Sequence, residues 1–228
     1  MCGRFTLRTP AETIASLFPG LDVPEFAARY NIAPTQQVPC IRASEDSNRE
    51  VVPLRWGLIP FWAKDSKIGA RMINARSETV ATKPAFRSAF KKRRCLVIAD
   101  GYFEWKKIGK EKQPFYMTVG AAEDKPTGFC MAGLWEKWHD QKNDLVIESC
   151  SILTTDASPS LAALHDRMPV IVESEDREFW LDPQFSDREK LESLCKPAAD
   201  GYFQSVPVSK TVNNVRNQEA DCVVPIQL

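Results

Sequence analysis

Six runs of branched and aromatic residues, separated mainly by short turn-like segments, constrain the fold of this chain more than any other feature. The runs are VPCIRA, VVPLRWGL, RCLVIAD, PFYMTV, FCMAGLW and LVIESCSILTT. Their composition is typical of β-strands, and most of their spacings fit hairpins, whereas a doubly wound parallel sheet needs a long helix between strands. The sequence therefore predicts an α+β fold with a mainly antiparallel, barrel-like sheet and short peripheral helices.

Short helices are predicted before, between and after these runs. TPAETIASLF has Thr9 as a candidate N-cap, Pro10 at the first helical position and Glu12 closing a capping box. The other predicted helices are KPAFRSAFKK, SPSLAALHD, SEDREFWL and DREKLESLC. No repeat or long linker divides the sequence, so we expect one domain over residues 1–228, with roughly the last ten residues as a C-terminal tail.

Cysteine and histidine usage argues against several kinds of site. The seven cysteines form no C-x-x-C pair, and their odd number does not suit a disulfide framework. With two histidines in the chain, a multi-histidine metal site is not expected. We predict no metal and no organic cofactor.

Charge leaves a nucleic-acid partner open, although the net charge is zero. Residues 1–112 contain 20 Lys and Arg against 11 Asp and Glu, and residues 113–228 contain 10 against 19. Such asymmetry can create a basic face, although single charge runs are more often solvated surface. No apolar run approaches the roughly 20 residues of a membrane span, and no secretory signal precedes the first helix. We expect a cytoplasmic protein that does not contact membranes.

The second residue is a cysteine, which has a chemical consequence if Met1 is removed. Initiator methionine is commonly trimmed when the next side chain is small, and Cys2 would then carry a free α-amine and a thiol on adjacent carbons. Most other cysteines lie in apolar runs, where a cysteine behaves as a small core residue. Cys2 is followed by Gly3 and Arg4 instead.

Three further stretches place polar side chains at the ends of predicted elements. In MINARSET, residues Asn74, Arg76 and Glu78 alternate, so an extended backbone would point all three the same way. Asn74 and Arg76 also suit an ordinary turn or edge strand.

DGYFEWKK contains Glu104 between two aromatic residues, and LHDRMPV contains His165 between a short helix and a strand. Strand periodicity alone favours Glu104 as an exposed position. His165 equally suits the C-terminal end of a helix, where the helix dipole favours a cation.

Six ordered blocks resemble the SRAP family, the SOS response-associated peptidases. The blocks are MCGRF, YNIAPTQ, RWGLIPFW, INARSET, DGYFEWKK and HDRMPV. The resemblance extends from residue 1 to about residue 217, and the NNVRNQ stretch also fits the family pattern.

This resemblance implies a sensor and shield of abasic sites in single-stranded DNA that links covalently to the lesion. It implies a monomer, associated with the nucleoid if the source is bacterial, with replication-associated proteins as candidate partners. The implied catalytic residues are Cys2, Asn74, Glu104 and His165. The implied DNA contacts are Arg4, Arg76 and Arg167 at phosphates and Trp62 near the DNA junction.

The residue types agree with that chemistry. An N-terminal amine has a reference pKa of about 7.7–8.0, so a fraction is neutral and can attack the aldehyde of a ring-opened abasic sugar. The Cys2 thiol can then close a thiazolidine ring. Glu104 would move protons, His165 would stabilise the sugar oxygen or relay a proton, and Asn74 would orient the amine.

Two other functions fit the same residues. A thiol peptidase, possible as an autopeptidase that removes Met1, would use Cys2 with His165 and Asn74. The chain could also be a noncovalent module that binds single-stranded or modified DNA, in which Cys2 would have no chemical role. Weak lyase activity is a further possibility, because an imine at an abasic site permits β-elimination.

Overall fold

The structure, a computed structural model, describes residues 2–44, 46, 48–120 and 127–228. Within these residues the architecture is α+β, as predicted. The strands are β1 Phe5–Leu7, β2 Arg29–Ile32, β3 Gln37–Ala43, β4 Arg49–Trp56, β5 Asn74–Arg76, β6 Arg94–Ala99, β7 Gly101–Ile108, β8 Glu111–Thr118, β9 Phe129–Asp140, β10 Leu145–Asp156, β11 Arg167–Pro169 and β12 Gln204–Pro207. The α-helices are α1 Ala11–Ser16, α2 Ser77–Val80, α3 Arg87–Lys92, α4 Pro159–Ala162, α5 Arg177–Leu181 and α6 Arg188–Leu194. Short 3₁₀ helices cover Ser66–Arg71, Ser174–Asp176, Lys210–Asn213 and Ala220–Val223.

Five strands close into a barrel. The ring runs β4–β3–β6–β9–β10, and β10 returns to β4. The closing β4–β10 pair is parallel, whereas the other four pairs in the ring are antiparallel. All six predicted strand runs fall in β3, β4, β6, β8, β9 and β10, which confirms the prediction of a mainly antiparallel, barrel-like sheet.

A second sheet, in the order β12–β8–β7–β1–β2, places the start of the chain beside the middle of the sequence. Phe5 of β1 pairs with Tyr102 of β7 in antiparallel register. One face of this sheet carries Tyr102 and packs on the main core. The opposite face carries Phe103, which packs with Val208 and Val212 of the C-terminal segment in a second cluster.

The start of α1 differs from the prediction. Pro10 occupies the N-cap position and provides no side-chain cap. Thr9 instead donates its backbone N–H to Asp100 Oδ2 over 2.7 Å and its hydroxyl to the same oxygen over 3.2 Å. The predicted Thr9 cap is therefore wrong, because the buried carboxylate of Asp100 takes the hydroxyl.

The C-terminal residues are held against the second sheet. Val208 forms an isolated antiparallel bridge with Pro225, and the Ile226 backbone N–H donates to the Pro207 carbonyl over 2.9 Å. Cys222, in the same segment, is buried. In the part of the chain that the structure describes, no helix combines the length and apolar character needed to cross a membrane.

Candidate active site

Cys2 lies directly before β1 and is fully buried. Its thiol contacts the Arg4 carbonyl, with Sγ 4.0 Å from the oxygen. Burial, together with the negative charge of Glu104, raises the pKa of the Cys2 thiol well above its usual value. The thiol is therefore held in its neutral form. Met1, whose removal would expose the Cys2 amine, lies outside the described residues.

Asn74 reaches Cys2 because β5 pairs in parallel with β10, where Asn74 aligns with Ile152. The Asn74 Nδ2 donates to the Cys2 backbone carbonyl over 2.9 Å. Its Oδ1 is buried and accepts no hydrogen bond from the described residues. A carboxamide in this position fixes the Cys2 backbone and presents an acceptor beside it.

Glu104 is buried with only 4% of its surface exposed, so the interpretation as an exposed strand position is wrong. Alternation along β7 puts Glu104 on the same face as Tyr102, toward the main core and Cys2. Burial raises the pKa of the Glu104 carboxyl, and the nearby His165 partly opposes this shift. A carboxyl with a raised pKa is suited to general acid–base catalysis.

His165 brings the fourth predicted catalytic side chain to this cluster. It lies between α4 and β11, as the sequence predicts, and its Nε2 is 3.9 Å from Glu104 Oε2. Its Nδ1 is 3.0 Å from the Arg167 backbone nitrogen and 2.7 Å from Asp166 Oδ1.

These two contacts of Nδ1 require different protonation states. The Arg167 N–H can donate only to an unprotonated Nδ1, whereas the Asp166 carboxylate accepts only from a protonated one. Nδ1 of His165 can therefore accept from the Arg167 N–H or donate to Asp166 according to its protonation state, while Nε2 faces Glu104.

Arg167 is held inside the protein. Its guanidinium forms a two-point contact with Glu78, Nη1–Oε1 at 2.7 Å and Nη2–Oε2 at 3.0 Å. It also donates to Asp156 Oδ1 over 2.7 Å and to the Thr154 carbonyl over 2.6 Å. Its predicted contact with DNA phosphate stays a prediction.

Glu78 does not extend the alternation that starts at Asn74. The extended segment ends at Arg76, and Glu78 lies in α2. The expectation that Asn74, Arg76 and Glu78 point the same way along one strand is therefore wrong for Glu78. The helix turns its carboxylate toward Arg167.

The side chain of Arg4 lies on the other face of the second sheet from Glu104. Its Nη1 donates to Asn31 Oδ1 over 2.6 Å and to the Val212 carbonyl over 2.7 Å. The guanidinium carbon is 5.8 Å from the ring centroid of Trp105. As a phosphate contact, Arg4 also stays a prediction.

Arg76 and Trp62 lie at the surface. Arg76 is exposed and forms no ion pair with the described residues. Trp62 is 49% exposed beside Phe61, which is 59% exposed. The loop carrying both rings is attached to the β9–β10 hairpin, because Trp138 Nε1 donates to the Ala63 carbonyl over 2.7 Å. These positions are accessible to a nucleic acid.

Asn31 holds the side chain of Arg4, a contact that the sequence did not predict. It is fully buried, and its Oδ1 accepts the hydrogen bond from Arg4. Its Nδ2 lies within hydrogen-bond distance of three carbonyl oxygens in the C-terminal segment, those of Val212, Asn214 and Asn217. The available signal was an asparagine inside the strand-like block YNIAPTQ. Among the described residues, no His, Cys, Asp and Glu cluster is arranged to hold a metal ion.

Comparisons with known proteins find similar sequences and a similar fold. Residues 1–215 match the family described as SOS response associated peptidase (SRAP). The abasic site processing protein YoqW of Bacillus subtilis is 38% identical over 227 residues, covering 98% of this chain and 99% of YoqW. The abasic site processing protein YedK of Escherichia coli is 33% identical over 235 residues, covering 99% of this chain and 100% of YedK. A crystal structure of a Bacteroides thetaiotaomicron protein aligns with TM-score 0.86 and 28% identity, covering 99% of this chain and 100% of that one.

Proposed function

The chain belongs to the SOS response associated peptidase family, and we propose that it captures abasic sites in single-stranded DNA through a covalent bond to Cys2. The observation that carries this proposal is the convergence of four separate segments on one site. Asn74 holds the Cys2 carbonyl, while His165 lies beside Glu104 on the core side of β7. Relatives named abasic site processing proteins support the choice of lesion.

The reaction begins after removal of Met1 exposes the Cys2 amine. The neutral amine attacks the aldehyde carbon of the ring-opened sugar and forms a carbinolamine. Loss of one water gives the imine. The thiol sulfur then bonds to the imine carbon, its proton passes to the nitrogen, and a five-membered thiazolidine results. The net reaction joins protein and DNA with release of one water.

The surrounding side chains fit these steps. The raised pKa of Glu104 allows it to donate a proton to the departing hydroxyl and to take one back during ring closure. His165, whose Nε2 lies 3.9 Å from Glu104 Oε2, can exchange a proton with the sugar oxygen or with Glu104. Asn74 Oδ1 offers an acceptor to the Cys2 amine. No cofactor is required by these steps.

The state of the thiol favours this mechanism over a thiol peptidase. A hydrolytic cysteine needs a lowered pKa to supply thiolate, whereas burial raises the pKa of Cys2. In the proposed reaction the amine attacks first, so a neutral thiol is compatible with it. Closure of the ring also consumes the imine from which strand cleavage would start, so we expect lyase activity to be weak.

Two variants separate the candidate functions on an oligonucleotide with one abasic site, with covalent adducts read on a denaturing gel and noncovalent binding on a native gel. Cys2→Ser should lose the stable adduct and keep noncovalent binding. One glycine inserted between Met1 and Cys2 keeps the thiol but moves the α-amine away from it, and it should also abolish the adduct. A stable adduct that survives either change would exclude the thiazolidine mechanism.

A further inference from the structure

Strand β7 continues past the site with two adjacent lysines. Tyr102 belongs to the main core, whereas Phe103 and Trp105 contribute to the cluster on the other face. Because side chains alternate along a strand, Glu104 and Lys106 share the face that carries Tyr102. Lys107 falls on the opposite face.

Lys106 has no counter-ion in the part of the chain that the structure describes. It is half-buried, and its ammonium makes no ion pair or hydrogen bond with the described residues. The residue opposite it on β8 is Gln113, which is neutral. The Gln113 amide is engaged with the carbonyls of Pro114 and Val208 over 2.9 and 2.8 Å. A lysine without a carboxylate partner is available to an external anion.

Its position suits the backbone of the DNA strand. Residues i and i+2 of a β-strand have Cα atoms roughly 6.6 Å apart. Lys106 is therefore the next residue after Glu104 on the same face of β7, toward the β7–β8 turn. Arg4 and Arg167, which the sequence offered as phosphate contacts, are engaged with internal partners. Arg76, the third of these arginines, is exposed and forms no ion pair with the described residues, so a further cation on the Glu104 face of β7 would add to it at the DNA backbone.

We propose that Lys106 binds a phosphate of the nucleotide next to the abasic site. The inference rests on the proposed function, because it takes the bound anion to be the strand whose sugar reacts with Cys2. As a phosphate ligand, Lys106 contributes to binding and does not take part in bond formation.

Lys107 provides a matched control for this inference. Lys106→Gln and Lys107→Gln change net charge equally at neighbouring positions, and they differ in the face of β7 that loses a cation and in burial, since Lys106 is half-buried and Lys107 is exposed. The probe is a single-stranded oligonucleotide with a tetrahydrofuran abasic analogue, which has no aldehyde. Its affinity is measured against salt concentration by fluorescence anisotropy.

Lys106→Gln should weaken binding severalfold at low salt and reduce the slope of log affinity against log salt by about 0.7, the value for one phosphate contact on a single strand. Lys107→Gln should change neither quantity appreciably, and Lys106→Arg should restore the slope. On a true abasic oligonucleotide, Lys106→Gln should raise the half-saturating concentration and leave the maximal crosslinking rate unchanged.

Equal losses in both glutamine variants would overturn the assignment, because the effect would then come from overall charge. If the unmodified chain crosslinks normally in that case, the proposed function stands without Lys106. A chain that neither binds nor crosslinks abasic DNA would refute the proposed function and, with it, this inference.

Discussion

The side-chain amide of Asn74 donates to the backbone carbonyl of Cys2 over 2.9 Å. This bond joins the start of the chain to β5, which pairs with β10 of the barrel. The first residues of a protein are usually poorly ordered unless they are tied down. The bond therefore gives the proposed nucleophile a fixed place on a rigid scaffold.

Replacing Asn74 with Ala should slow crosslinking by about 10²-fold, the effect of misplacing a reacting group by roughly 1 Å. Noncovalent affinity for the tetrahydrofuran oligonucleotide should remain, because the amide is not expected to touch phosphate. Single-turnover crosslinking at saturating DNA measures the rate. An unchanged maximal rate would show that this bond does not position Cys2 for reaction.

Glu104 should destabilise the fold at neutral pH. Its folded pKa is raised by burial, while the unfolded value is about 4.3, so the native state holds the proton more tightly. Stability is then lost as pH rises from the unfolded value through the folded pKa. Glu104→Gln should unfold at a higher temperature than the parent at pH 7.5 and at nearly the same temperature at pH 4.

The same variant should crosslink about 10²–10⁴ times more slowly, as expected for loss of a general acid–base group. Thermal unfolding at the two pH values and single-turnover rates test the two effects separately. A variant that is slow but no more stable at pH 7.5 would contradict the raised pKa of Glu104.

Trp62 should contribute to affinity by stacking on an exposed base. Its removal in Trp62→Ala should weaken binding to single-stranded DNA by about 1–3 kcal/mol, and Trp62→Phe should retain part of that energy. Phe179→Ala removes another exposed ring, on α5, and serves as the control. Equal affinities of the Trp62→Ala and Phe179→Ala variants would exclude stacking at Trp62.

Arg94 should be one of the most important polar residues for stability. Its guanidinium is almost fully buried and donates only to backbone carbonyls at the ends of α3 and α5 and in the segment after α5. These carbonyls belong to Phe90, Lys91, Trp180, Asp182 and Phe185.

Arg94→Met would leave these acceptors unpaired, at a cost of roughly 3 kcal/mol in the free energy of unfolding. Arg188→Met, which removes an exposed i,i+4 ion pair on α6, should cost less than about 0.5 kcal/mol. Urea denaturation of both variants gives the comparison. Similar losses in the two would contradict the role of Arg94.

Local patterns predicted most of the fold. Branched and aromatic runs located the barrel strands, and the predicted helix SPSLAALHD contains α4. Local patterns could not predict which strands pair to close the barrel, because the parallel β4–β10 pair joins residues far apart in sequence. The predicted N-cap at Thr9 was wrong for the same reason, because Asp100, whose carboxylate accepts from the Thr9 hydroxyl, is distant in sequence.

The candidate site residues are those that the resemblance implies, and their environments required the structure. Alternation along β7 could not show which face would be buried, so Glu104 was assigned as exposed from periodicity alone. Arg4 donates hydrogen bonds to Asn31 and Val212, and Arg167 donates to Glu78. No local sequence pattern predicts these contacts. Such long-range pairing decides whether an arginine faces DNA or the protein interior.

The central claim is that the α-amine and thiol of Cys2 form a covalent ring with an abasic sugar. Intact mass spectrometry tests it most directly, on the protein alone and after incubation with a single-stranded oligonucleotide carrying one abasic site. We expect a protein lacking methionine, then an adduct equal to protein plus oligonucleotide minus one water, with the link mapped to Cys2. A protein that lacks methionine and forms no adduct on verified abasic DNA would contradict the claim.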